Sequence, residues 1–177
     1  YAIVTVGAVK NKEELARQAF ETRRLHFSEM SGGEISPTEL IAMLINQERT
    51  YEDGISSALE AIRGSCSLLL LTENGIYAAR DKWGRTPVVL GRKDGRTAVA
   101  LDTCAFPNLG FKVEKYLGPG EVAFITAEGY EPKTPPRERM QICAFLWVYF
   151  GYPASSYEGI NVESVRNRCG AMLARRN

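Results

Sequence analysis

Apolar residues recur along this chain at two spacings, and each spacing predicts its own kind of element. Ile3-Val4-Thr5-Val6 is a strand-like run that stops at Gly7. A helix follows from Asn11: Asn11 is placed to accept from the first free backbone N–H groups, and Glu14 can reach back three residues later. Leu15, Ala16, Ala19 and Phe20 supply its apolar face. Ser36-Pro37-Thr38-Glu39 opens a second helix, with Ser36 at the N-cap, Pro37 where a missing N–H costs nothing, and Glu39 at the capping-box position. Leu40, Ile41, Leu44 and Ile45 then recur at helical spacing. A third helix is predicted over Tyr51 to Arg63, with Ile55, Leu59 and Ile62 inward and Gly64 ending it.

From Cys66 the period changes. Ser67-Leu68-Leu69-Leu70-Leu71 reads as a fully apolar strand, Asn74-Gly75 as a hairpin turn, and Ile76 to Arg80 as the return. Further strands are predicted over Pro87 to Leu90, Ala98 to Leu101 and Val122 to Thr126. The proline-rich segment Pro132 to Arg137 reads as a surface connection. It leads to another predicted strand, Cys143 to Phe150, and Asn161 caps a last helix carrying Val162, Val165, Cys169 and Met172. Helices segregated from strands indicate an α+β fold with largely antiparallel sheet. Strands as apolar as SLLLL must be covered on both faces, so sheet and helix layers should stack.

Composition narrows the function classes. A chain of 177 residues, 45% hydrophobic and 24% charged, suits one globular domain. A formal net charge of +1 without a Lys/Arg block argues against nucleic acid or an acidic membrane as partner. The longest apolar run, Ala144 to Phe150, is too short to span a bilayer, and no secretory signal is visible, which places the chain in the cytoplasm. Cys66, Cys104, Cys143 and Cys169 lack C-x-x-C spacing and read as reduced thiols, and with His26 as the one imidazole a zinc site is not expected. The chain opens inside a strand and ends inside a helix, as part of a longer protein would.

Taken singly, the polar residues have structural readings. Arg80-Asp81-Lys82-Trp83-Gly84-Arg85 reads as a charged hairpin tip, or as one that Arg80 and Asp81 hold as a buried pair. Cys66 and Cys143 fall within apolar strands, where burial makes a thiol inert. His26 reads as a helix-end cation. There is no Gly-rich phosphate loop ending in Lys-Ser or Lys-Thr, and no G-x-G-x-x-G fingerprint.

Taken together, five segments carry a family pattern: GIYAARDKWGRTPVVLG (75 to 91), LDTCAF (101 to 106), YLGPGEVAFI (116 to 125), CAFLWVYFGYP (143 to 153) and GINVESVRNRCGAML (159 to 173). In order and spacing the chain resembles the glutaminase half of amidophosphoribosyltransferase, over essentially its whole length. The resemblance implies a class II glutamine amidotransferase domain with the layered αββα N-terminal-nucleophile hydrolase fold, incomplete at its N-terminus. It implies one partial domain over 1–177, with 159–177 starting the connection to a phosphoribosyltransferase domain that these residues do not contain. Glutamine as ligand, a homo-oligomeric parent, and no cofactor within this chain are further implications; the family uses Mg2+ in its transferase domain and in some members a 4Fe-4S cluster, one ligand position of which matches Cys143.

The family's chemistry uses an N-terminal Cys as nucleophile, and an Asn side chain with a Gly N–H as the oxyanion hole. Where the family has His-Asn-Gly this chain has Thr5-Val6-Gly7, so Gly7 keeps the backbone position while Val6 replaces the donor. Where the family has Ser-Asp-Thr/Ser-Glu this chain has Ser36-Pro37-Thr38-Glu39, so Pro37 replaces the carboxylate that pairs with the substrate ammonium. Two substitutions at separate contacts of one ligand imply a domain impaired in glutamine hydrolysis. A working glutaminase with rearranged contacts, and a non-catalytic regulatory or ligand-binding module on the same fold, are the alternatives.

Overall fold

A computed structural model describes residues 1–23, 30–31 and 34–176. Along the chain run β1 (Ala2–Val9), α1 (Lys12–Arg23), the short pair β2 (Met30–Ser31) and β3 (Glu34–Ile35), α2 (Pro37–Ile45) and α3 (Tyr51–Ala61). Strands β4 (Gly64–Leu71), β5 (Ile76–Ala79), β6 (Val89–Lys93) and β7 (Arg96–Ala100) come next, then α4 (Ala105–Leu109) and strands β8 (Lys112–Tyr116), β9 (Val122–Ile125) and β10 (Tyr130–Thr134). A π-helical turn (Leu146–Phe150), the hairpin β11 (Ser156–Tyr157) and β12 (Ile160–Asn161), and α5 (Val162–Ala174) follow.

Strand alternation builds two stacked sheets. One has five antiparallel strands in the order β1-β4-β5-β9-β10, the other three in the order β7-β6-β8. On one face of the larger sheet Cys66, Leu68, Leu70, Tyr77, Ala79 and Val122 pack against Leu15, Leu40, Ile41, Ile55 and Leu59 of the three helices. On its other face Ala78, Ala123 and Ile125 meet Val88, Leu90 and Leu117 around the smaller sheet. The SLLLL strand is thus covered on both sides, as its composition requires. The ring of Phe106 on α4 lies over Gly91, opposite in pleat to Leu90, and puts a helical layer beyond the smaller sheet. This is the α+β layered arrangement expected.

Several local expectations hold. Ser36 caps α2 by accepting from the Glu39 N–H, with Pro37 opening the helix. Asn161 caps α5 by accepting from Ser164 N–H at 3.0 Å, and its amide donates to the Pro153 and Ser155 carbonyls.

Others do not. β1 continues through Gly7 to Val9, paired with β4 along its length. Asn11 does not cap α1 with its side chain: it accepts from Arg63 N–H at 2.8 Å and donates to Ala61 C=O at 3.0 Å, stitching the end of α3 to the start of α1. Part of the supposed connection, Pro132 to Thr134, lies in β10. Residues 146–150 are not a strand but a π-helical turn, because the Trp147 indole donates to Ile160 C=O while Arg166 donates to the Trp147 and Gly151 carbonyls. His26 and the side chain of Phe20 lie outside the described residues.

Candidate functional site

The period of β1 decides what each residue of Thr5-Val6-Gly7 faces. Thr5 turns toward the helices, where its hydroxyl is 2.7 Å from that of Thr38 on α2. Val6 turns to the opposite face and lines a pocket of about 350 Å³ with Ser65, Arg85, Thr86, Pro87, Leu101, Asp102, Cys143, Phe145, Leu146, Phe150 and Tyr157. The start of α2 therefore touches β1, but Ser36, Pro37 and Thr38 do not enter the pocket wall with Val6. A larger groove of about 560 Å³ beside α3 contains none of the residues singled out from sequence.

Gly7 has a steric reason to be glycine. A Cβ on its backbone, at φ +153°, would stand 2.0 Å from the Ser65 carbonyl oxygen and 2.8 Å from the Cys66 Cα. The close approach of β4 excludes every other residue, whatever the N–H of Gly7 faces.

The floor of the pocket is held by a polar network that sequence reading missed. Asp102, just beyond β7, accepts from the Ser155 hydroxyl at 2.6 Å, the Tyr157 hydroxyl at 3.1 Å and the Cys104 N–H at 3.1 Å. Burial, reinforced by the Asp102 charge, pushes the Tyr157 phenol up to about 12, so its hydroxyl stays a donor. The signal for this network is the LDT segment followed by Ser155 some fifty residues on, a separation no local pattern encodes. Arg85 is half-buried in the same wall; its Nη2 donates to Gln141 Oε1 at 3.5 Å, and among the described residues it forms no ion pair.

The loop leading to Arg85 is not a solvated hairpin tip. Arg80 and Asp81 are both buried, yet not as a pair with each other. Arg80 meets Glu158 at 2.8 Å, whereas Asp81 accepts from the Trp83 and Thr86 N–H groups, each at 3.0 Å.

Cys66 is buried, and burial followed by the charge of Asp81 pushes its thiol up to about 12. Cys143, read from sequence as buried in a strand, is instead exposed, as is Cys169. At mildly alkaline pH an aromatic disulfide reagent is expected to label Cys143 and Cys169 rapidly and Cys66 only after denaturant is added. Rapid labelling of Cys66 in the folded protein, mapped by peptide mass, would contradict this burial. Among the described residues no three His, Cys, Asp or Glu side chains come together to hold a metal, so Cys143 has no companion ligands there for an iron–sulfur cluster.

Comparison with known proteins agrees with this architecture. The family profile described as a glutamine amidotransferase domain matches residues 1–106. Amidophosphoribosyltransferase of Bacillus subtilis is 34% identical over 142 residues, covering 78% of this chain and 30% of the relative. That of Rhizobium etli is 32% identical over 184 residues, covering 98% of this chain and 36% of the relative. Among solved structures, glutamine phosphoribosylpyrophosphate amidotransferase from B. subtilis complexed with ADP and GMP superposes with a TM-score of 0.87 at 30% identity, covering 99% of this chain and 38% of that one. The chain thus spans roughly a third of the length of the relatives it matches. A family profile matched over more than half the chain, on a fold superposing over nearly all of it, means that the chain belongs to the glutamine amidotransferase domain family.

Proposed function

We propose that this is the glutaminase-type domain of an amidophosphoribosyltransferase-like protein of purine biosynthesis, acting in the cytoplasm and impaired in glutamine hydrolysis. One observation carries the impairment. Val6 lines the pocket, at the position where the family places an oxyanion donor, and among the described residues no Asn or Gln lines that wall to replace it. Loss of one such donor costs about 3 to 4 kcal/mol in the transition state, a hundredfold or more in rate. Pro37 keeps the helix start and removes the carboxylate for the substrate ammonium, so the fold is retained while the ligand contact is lost.

A phosphoribosyltransferase domain is the partner this reading requires. The exposed apolar side chains Phe145, Val148, Tyr149, Phe150 and Tyr152, and Met172 and Leu173 on α5, support it, because large exposed apolar surface marks an interface. In the family's cluster-bearing members Cys143 would be one ligand and the partner domain would supply the rest; Mg2+ belongs to that domain too. A homo-oligomeric parent is part of the same reading.

The test is intact mass of the full-length protein after incubation with the glutamine analogue 6-diazo-5-oxo-norleucine. The expected result is no adduct on a folded protein. A single adduct on an N-terminal cysteine would show that glutamine analogues react despite Val6 and Pro37, and the impairment would be refuted.

A further inference from the structure

Among the described residues the pocket beside Val6 presents no side-chain amide, and it presents one feature that recognises an anion. Its wall is mostly apolar, from Val6, Pro87, Leu101, Phe145, Leu146 and Phe150. Into that wall comes Arg85, half-buried and without an ion pair among the described residues. A guanidinium held beside apolar surface, with one long contact to a neutral amide at 3.5 Å, has most of its donors free for a ligand. Asp102 is the other charged group in the wall, and its oxygens are anchored to the protein by accepting from Ser155, Tyr157 and Cys104, which leaves Arg85 as the cation facing the pocket.

We propose that this pocket binds a small monocarboxylate with an apolar body, its carboxylate seated on Arg85. The proposal rests on the reading above that the site no longer holds glutamine, and it names what the site takes instead. Each part of the ligand follows from a part of the wall. Planar, bidentate recognition by Arg85 selects carboxylate over amide, because the charged acceptor makes the stronger hydrogen bonds. Val6, Phe145 and Phe150 select an apolar body.

The experiment is calorimetric titration of the full-length protein with phenylacetate and with its neutral counterpart phenylacetamide, either small enough for a pocket of about 350 Å³. Phenylacetate should bind about tenfold or more tightly than the amide, a ratio measured on the unaltered protein and so independent of any variant's folding. In Arg85→Gln the ratio should collapse toward unity, and Arg85→Lys should keep part of it. Equal affinity for acid and amide, no saturable phenylacetate binding up to about 10 mM, or an unchanged ratio in a folded Arg85→Gln would each overturn the proposal. Ammonia release from glutamine by the same preparation would instead overturn the impairment reading, so the two failures are told apart.

Discussion

Replacing Arg80 by Met is expected to destabilise the domain by about 3 to 5 kcal/mol, measured by denaturant unfolding. The side chain is wholly buried and joins four segments. Nη1 donates to the Leu117 carbonyl at 2.5 Å and Nη2 to the Gly84 carbonyl at 2.7 Å. Nη1 also meets the Glu158 carboxylate at 2.8 Å, tying the β11–β12 hairpin to the end of β5. Met approximates the stem in volume but donates nothing, so two carbonyls and a partly buried carboxylate lose their partner at once. Glu158→Gln should cost much less, about 1 kcal/mol, because that side chain keeps some contact with water and its amide can still accept from Arg80. If Arg80→Met cost no more than Glu158→Gln, the clamp described here would be wrong.

Gly7→Ala is the second large effect, with an expected loss of about 3 kcal/mol or more, or failure to fold. The obstruction is backbone: the Ser65 carbonyl oxygen would lie 2.0 Å from the new Cβ, and no rotamer change relieves it. Relief requires β1 to move off β4 around the Gly7–Cys66 pair, which breaks strand pairing and opens the helix-side core lined by Cys66. The measurement is thermal unfolding followed by circular dichroism. A folded Gly7→Ala protein within about 1 kcal/mol of the parent would mean that the close approach is not what demands glycine. The steric demand accounts for glycine at position 7 through strand packing, whether or not its N–H serves catalysis.

What was legible in the sequence was what neighbouring residues decide. The α2 start was readable because a cap, a proline and a carboxylate act within four positions, and the SLLLL strand because its composition fits only a two-sided burial. The CAFLWVYF stretch was misread because a run apolar throughout has no period, and strand and helix then look alike. Asn11 was misread because a cap-like residue found stronger partners on Ala61 and Arg63, some fifty residues away. Burial of Arg80 and Asp81 was among the sequence readings, but not their partners, because Glu158 lies some eighty residues away and Asp81 turns to backbone N–H groups of its own loop.

By itself the sequence determined the α+β class, most element positions and the family pattern, all of which depend on residue identity at short range or on linear order. Only the tertiary structure decided that Val6 faces a pocket while Thr5 faces α2, that Cys143 is exposed, and that Arg85 and Asp102 share one wall. The physical reason is the same in each case: burial and charge environment are set by which distant segments meet, and those meetings are fixed by the packing of two sheets rather than by any local run of residues.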